Sequence, residues 1–301
     1  MKKILSLMLA LCLIASLAAC GTKTEESAAP AEPEAVETVA EVKPVLLAVS
    51  FGSSYNETRD VTIGAVEEAL QAAYPEYEVR RAFTSQIVID MLEEREGMEI
   101  DNVVEAMDRL VADGVQEVLV QPTHVMTGFE YDDVMAEVAE YEGKFASLKT
   151  ALPLIASDAD YDAVIASLVE ETAEYNAEGT ALVFMGHGTH HEANATYANL
   201  QQKLNDAGHT NYFIGTVEAA PALEDVMALV QESGAEKVVL LPLMIVAGDH
   251  ANNDMAGDEE DSWKTAFVEA GFEVECVLKG LGQYAGIQQL LVEHAAAAMA
   301  E

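Results

Sequence analysis

The chain has 301 residues, half of them apolar. That suits one large α/β unit or two packed lobes and excludes a disordered or collagen-like polymer. Against 15 Lys and Arg stand 53 Asp and Glu, a formal charge of −38 that repels nucleic-acid backbones, so no nucleic-acid partner is expected, and that gathers cations near the surface.

The first 19 residues read as a signal peptide of the lipoprotein type. Lys2 and Lys3 give a positive start, and Ile4 to Ala19 carries no charge yet falls short of the about 20 residues of a membrane span. The ending Leu17-Ala18-Ala19-Cys20 resembles the bacterial lipoprotein cleavage box, which implies cleavage before Cys20 and a lipid anchor on it. The mature protein is then expected to be exported and membrane-anchored on the extracytoplasmic side, in the periplasm or at the cell surface. Residues 20–43, rich in Glu, Ala, Pro, Thr and Ser with no aromatic, read as a flexible acidic tether that buries too little to offset its ordering entropy. Of the three cysteines, Cys12 and Cys20 precede the folded part, so Cys276 is left without a disulfide partner and reads as a small buried apolar residue.

From Pro44 onward short apolar runs alternate with longer stretches of helical period. In chain order the pattern predicts a strand at Val45 to Phe51, a helix at Glu57 to Ala73, a strand at Glu78 to Phe83 and a helix at Asp101 to Asp113. Strands at Glu117 to Gln121 and Lys149 to Leu152 follow, then a helix at Tyr161 to Tyr175, a strand at Ala181 to Met185 and a helix at Ala193 to Ala207. The rest reads as strand Tyr212 to Gly215, helix Ala222 to Ser233, strands Lys237 to Leu241 and Phe272 to Val277, and helix Tyr284 to Met299. Such alternation predicts parallel sheets covered on both faces.

An internal duplication divides the pattern. Gly114-Val115-Gln116-Glu117-Val118-Leu119-Val120-Gln121-Pro122 repeats as Gly234-Ala235-Glu236-Lys237-Val238-Val239-Leu240-Leu241-Pro242, and Gly128 falls opposite Gly248 at the same 120-residue offset. Ser50-Phe51-Gly52-Ser53 likewise matches Gly186-His187-Gly188-Thr189 at the end of each half's first strand. The fold class is therefore α/β, two similar doubly wound parallel-sheet lobes over residues 44–156 and 157–301, facing one another across a cleft. Ligands of such sheets bind at the carboxyl ends of the strands.

Three of those ends carry chemistry. His187 stands between two glycines, Glu218 follows Thr216 and Val217 at the next strand end, and His250 follows Gly248 and Asp249 on a polar loop. Each alone is an ordinary structural feature. Neighbouring parallel strands deliver their ends to one edge, however, and two imidazoles with a carboxylate suit a transition-metal site whose histidines can also take protons near neutral pH. The first half has Phe51 at the position of His187 and Glu130 at that of His250, so the chemistry sits in the second lobe, as does the expected metal and catalytic site.

The strings Gly186-His187-Gly188-Thr189-His190-His191-Glu192-Ala193-Asn194-Ala195-Thr196-Tyr197, Gly215-Thr216-Val217-Glu218 and Gly248-Asp249-His250-Ala251-Asn252-Asn253-Asp254-Met255 together resemble the anaerobic-type sirohydrochlorin cobalt chelatases. Supporting matches are Val49 to Tyr55, Arg81 to Ser85 and Val120 to His124, so the resemblance runs from Pro44 to His294 and leaves out the signal and tether. It implies a class II chelatase that inserts a divalent metal into a tetrapyrrole without nucleotide or organic cofactor. In keeping with that, the chain has no Gly-x-x-x-x-Gly-Lys-Ser/Thr phosphate loop. Cobalt is the metal the resemblance implies, with nickel or iron also suited to such ligands. By motif position His187 and His250 match the family's metal-binding and proton-accepting histidines, and Glu218 its acidic partner. A symmetric homo-oligomer is a further expectation from the family.

Ser53, Ser54, His124 and His191 are secondary candidates for substrate contacts. The two serines stand equally well as caps of the helix from Glu57, His190 and His191 as polar residues at a helix start, and His124 as packing, since its counterpart is Met244. His209 and His294 read as solvated, and Asp258 to Asp261 as an exposed acidic face. An export signal and strong acidity sit awkwardly with a cytoplasmic biosynthetic enzyme acting on a polycarboxylate. They leave open a second reading, a lipid-tethered extracytoplasmic metal or tetrapyrrole binding protein that feeds a transporter.

Overall fold

The same strand order occurs twice. In the computed structural model, which describes residues 42–300, β1 (Val45–Ser50), β2 (Glu78–Phe83), β3 (Glu117–Pro122) and β4 (Ser147–Thr150) form a parallel sheet ordered β2-β1-β3-β4. β5 (Thr180–Gly186), β6 (Tyr212–Thr216), β7 (Lys237–Pro242) and β8 (Glu273–Cys276) form a second, ordered β6-β5-β7-β8. In the first, Ala48 pairs with Arg81 on one side and Gln121 on the other; in the second, Val183 pairs with Phe213 and Leu240. The connections leaving β1 and β3 run to opposite sides of the first sheet, as do those leaving β5 and β7 in the second, which opens a crevice beyond the carboxyl ends of each pair. The predicted signal peptide, the anchor at Cys20 and nearly all of the tether lie outside the described residues.

The helices are α1 (Asn56–Arg59), running through a π-helical turn at Asp60–Gly64 into α2 (Ala65–Ala73), then α3 (Gln86–Glu96), α4 (Val103–Ala112), α5 (Phe129–Ala139) and α6 (Asp158–Glu171). α7 (Ala195–Asp206), α8 (Leu223–Ser233), α9 (Trp263–Glu269) and α10 (Ala285–Ala300) complete the set. α3, α5 and α9 occupy stretches where apolar periodicity named no helix. Local chemistry sets the ends of α3 and α9 instead: Ser85 and Ser262 accept the N–H groups of Val88 and Thr265 at their starts, and Gly97 closes α3 in the left-handed region.

Alternate residues of each strand feed different cores. Leu46 and Ala48 join Leu182, Phe184, Val239 and Leu241 in a core shared with α2, α6, α7 and α10, whereas Val45, Leu47 and Val49 pack outward with residues of α4 and α5. Val183, Met185, Val238 and Leu240 pack outward with α8 and α9. The strands are thus buried on both faces, which is why they read as continuous apolar runs.

All four strands of the first sheet precede residue 157 and all four of the second follow it, but α10 returns to pack on α2, β3 and β4. Tyr74 donates its hydroxyl proton to Val292 O at 2.7 Å, and Lys149 Nζ donates to Met299 O at 2.8 Å. This return corrects the expectation for His294. It is buried, not solvated, with Nε2 3.1 Å from Asp160 and Nδ1 3.3 Å from Leu152 O. Its carboxylate partner lies 134 residues earlier, at the start of α6, where Asp160 also accepts the N–H groups of Ala156 and Ser157. Cys276 is half-buried rather than buried, and burial pushes its thiol up.

Candidate metal and active site

β5 ends in a turn that only glycine fits. A Cβ on Gly186 would lie 2.3 Å from the ring of Tyr197, and one on Gly188 would lie 2.8 Å from both Ala219 N and the hydroxyl of Thr216. Gly188 also sits at φ +84°, a conformation that side chains resist. This close approach lets the β5 and β6 ends stay paired past the strands: Val217 N donates to Gly186 O at 3.0 Å and Glu218 N to His187 O at 2.9 Å. The carboxylate of Glu218 is thereby carried to 3.8 Å from His187 Nε2.

His250 arrives from the far side of β5. The chain leaves β7, passes Gly248 and enters a π-helical turn at Ala251–Met255, with Asn252 donating to the carbonyls of Ala247 and Gly248. The His187 and His250 rings meet edge to face, with centroids 4.7 Å apart. One ligand atom from each of His187, Glu218 and His250 falls within 4.8 Å of the others. The structure therefore brings together the three residues the sequence singled out.

Both imidazoles have one nitrogen committed. His187 Nδ1 lies 2.8 Å from Gly188 O and His250 Nδ1 lies 2.7 Å from Asp254 Oδ2. Those oxygens only accept, so each Nδ1 carries the proton and each Nε2 keeps a free lone pair, the form a metal ion binds or a proton attacks. Asp254 is the residue sequence reasoning missed. Its spacing of four from His250 on a helical turn was the available signal, and a carboxylate accepting the Nδ1 proton fixes the ring's tautomer and orientation. The cluster is open to solvent, with His187 and Glu218 about half exposed.

A cleft of about 560 Å³ spans the strand ends of both lobes and holds all three residues together with Ser53, Ser54 and His124. Ser53 Oγ accepts the Tyr55 N–H at 3.2 Å, and the helix that follows has no side-chain cap, so neither serine caps it. His124 lines the cleft with both ring nitrogens shut from solvent and unpartnered, and burial pushes its imidazole down to about 4. His191 does not line the cleft; its neighbour His190 does. His191 instead accepts the Ala193 N–H at Nδ1, places Nε2 3.3 Å from Asp132, and packs its ring on Phe129. It joins the lobes at the rim, as does Tyr55, whose hydroxyl donates to Asp249 at 3.0 Å. In the first lobe Phe51 is half exposed where His187 stands in the second, and Glu130 accepts the Thr84 hydroxyl at 2.9 Å.

Two duplicated α/β lobes with a histidine–carboxylate cluster on one wall of their cleft define a metal-handling protein of the chelatase type. A family model for the cobalt chelatase CbiK matches residues 44–300, and the chain belongs to that family. The sirohydrochlorin cobaltochelatase of Salmonella typhimurium is 38% identical over 253 residues, 84% of this chain and 95% of the relative. The sirohydrochlorin cobaltochelatase CbiKC of Nitratidesulfovibrio vulgaris is 32% identical over 262 residues, 85% of this chain and 90% of the relative. Among solved structures, SirB from Bacillus subtilis with Fe3+ superposes with a TM-score of 0.60 at 13% identity, covering 85% of this chain and 96% of that one. CbiX, described as the terminal enzyme of sirohaem biosynthesis in denitrifying bacteria, gives 0.51 at 18% identity over 85% and 99%. These likenesses show the chelatase fold.

Proposed function

We propose that the protein inserts Co²⁺ into sirohydrochlorin without nucleotide, at the cleft that holds His187, Glu218 and His250. The observation that carries this reading is the convergence of those three side chains, with one potential ligand atom from each within 4.8 Å of the others. A divalent ion bound at about 2.0–2.1 Å needs ligand atoms about 3.4 Å apart. Small side-chain rotations of these partly exposed groups bring the three donor atoms to that spacing.

Metallation moves two pyrrole protons off the ring. His250 is the better first acceptor: as the ion leaves its imidazole for the ring, the Asp254 carboxylate, 2.7 Å from Nδ1, stabilises the imidazolium that forms. His187, backed only by a neutral carbonyl, holds the metal with Glu218. Once the metal passes to the ring nitrogens, His187 Nε2 is free for the second proton and Glu218 balances the charge. Two protons and two imidazole nitrogens close the account.

The test is anaerobic turnover with sirohydrochlorin and Co²⁺, followed by absorbance of the metallated product. The expected result is product well beyond one equivalent, with most of the rate lost in His187→Ala and in His250→Ala; normal turnover in both variants refutes the assignment. The transporter-feeding carrier finds no support in the two curated relatives, both named as chelatases. We further propose export and lipid anchoring at Cys20. Cys20→Ser is expected to release the protein from membranes into the soluble fraction, and an unchanged distribution counts against the anchor.

A further inference from the structure

The two walls of the cleft are unlike. The second lobe supplies the metal-binding histidines, and the first supplies Phe51, Val88, Val125, Met126 and Phe129, with His124 among them. Among the described residues no Lys or Arg lines the cleft, while Glu130, Glu218 and Asp249 do. A polycarboxylate macrocycle seated here meets no permanent cation on the lining itself; Arg95, which adjoins it by donating to Ser54 O, is paired with Glu96. Any carboxylate it turns inward needs an uncharged hydrogen-bond donor.

His124 is the group on that wall whose spare hydrogen-bonding capacity is buried. Ser53 and Ser54 have hydroxyl protons to give but line the cleft in a part-buried stretch, and the buried Ser50 and Thr123 pair with each other at 2.8 Å, whereas neither His124 nitrogen has a partner or reaches solvent. A neutral imidazole brings one donor and one acceptor, and burying them unpaired is a cost that folded proteins ordinarily avoid. The fold itself does not require it. The same position in the second lobe is Met244, an apolar residue lining the same cleft. A residue that costs stability where its structural twin does not is retained for what enters the cleft.

Building on the reading of this cleft as the sirohydrochlorin site, we propose that His124 is a substrate-positioning residue whose ring turns toward the cleft on binding, so that an N–H shut away in the free protein donates to a carboxylate oxygen of the tetrapyrrole. It does so uncharged at neutral pH, since burial holds the imidazolium form to about pH 4 and below. The first lobe then fixes the macrocycle's rotation in the cleft while the second lobe acts on its metal and protons.

Two substitutions separate this role from packing. His124→Met copies the twin lobe and removes both polar atoms, and His124→Gln restores a donor and an acceptor. The measurements are melting temperature of the free protein, Co²⁺ affinity by calorimetry, and Kd, KM and kcat for sirohydrochlorin. His124→Met is expected to melt at least as high as wild type, to bind Co²⁺ unchanged, and to bind sirohydrochlorin about tenfold more weakly, with KM raised more than kcat is lowered. His124→Gln is expected to recover most of that affinity. Wild-type sirohydrochlorin affinity in His124→Met, or no recovery in His124→Gln, overturns the proposal while leaving the chelatase reading in place. A wild-type protein that neither binds nor metallates sirohydrochlorin overturns both.

Discussion

Removing the charge of Asp254 is expected to weaken cobalt binding and slow insertion together, although Asp254 is not one of the three clustered residues. Its carboxylate holds the His250 Nδ1 proton at 2.7 Å, so it both fixes the ring and offsets positive charge arriving at Nε2, whether metal or proton. Two unit charges about 4 Å apart interact by about 1 kcal/mol in water and about 4 kcal/mol at an effective dielectric constant of 20. The His250 side chain is 31% exposed and that of Asp254 42%, so solvent screens the pair and the lower half of that range applies. About 1–2 kcal/mol corresponds to a loss of about 5- to 30-fold in Co²⁺ affinity and in rate. Asp254→Asn keeps an oxygen to accept the Nδ1 proton and isolates the charge; Asp254→Ala also frees the ring to turn and should cost more. Competition of Co²⁺ against a chromophoric chelator gives the affinity, and anaerobic absorbance gives the rate. Wild-type values for both quantities in both variants would refute the backing role.

Two further predictions rest on packing. Gly188→Ala forces a Cβ to 2.8 Å from Ala219 N at φ +84°, so it should destabilise the fold by about 1–3 kcal/mol and part His187 from Glu218; urea unfolding and Co²⁺ titration check the two effects. Buried His124 has its imidazole held near 4, against about 6.5 in an unfolded chain. Its folded value is the lower one, so the unfolded chain binds the proton first, and whatever the residue costs at neutral pH, the folded state loses further stability through it as pH falls from about 6.5 toward 4. The whole window is worth about 3 kcal/mol. Urea unfolding of wild type should therefore weaken more between pH 7 and 4.5 than that of His124→Met, and equal slopes would contradict the burial.

What the sequence disclosed followed from how each feature is encoded. Buried parallel strands need apolar residues on both faces, so β1, β3, β5 and β7 stood out as runs. β4 did not: its residues are all half-buried, and it lies at Ser147–Thr150, two residues before the predicted start. The cluster was legible because His187, Glu218 and His250 sit at strand ends whose position a parallel sheet dictates. Residues whose meaning depends on distant packing were not. His294 finds Asp160 only because α10 returns to the first lobe, and the orphaned nitrogens of His124 exist only once the cleft wall is assembled. His190 and His191 are adjacent in sequence, and only the turn before α7 decides that the first lines the cleft and the second ties down its rim.

The asymmetry between the lobes follows from what a chelatase must let go. The duplicated fold offers two equivalent strand ends, yet the first lobe carries Phe51 where the second has His187, and Glu130, held by Thr84, where the second has His250. A planar macrocycle in the cleft has two faces. Imidazoles on both walls would grip a metal already in the ring from above and below, and product would leave slowly. With ligands on one wall only, a metal passed on in the proposed way would bond to the ring as it left His187, and the opposite wall can hold the other face through dispersion and apolar burial. Those interactions are nearly the same before and after metallation, so they orient the substrate without trapping the product.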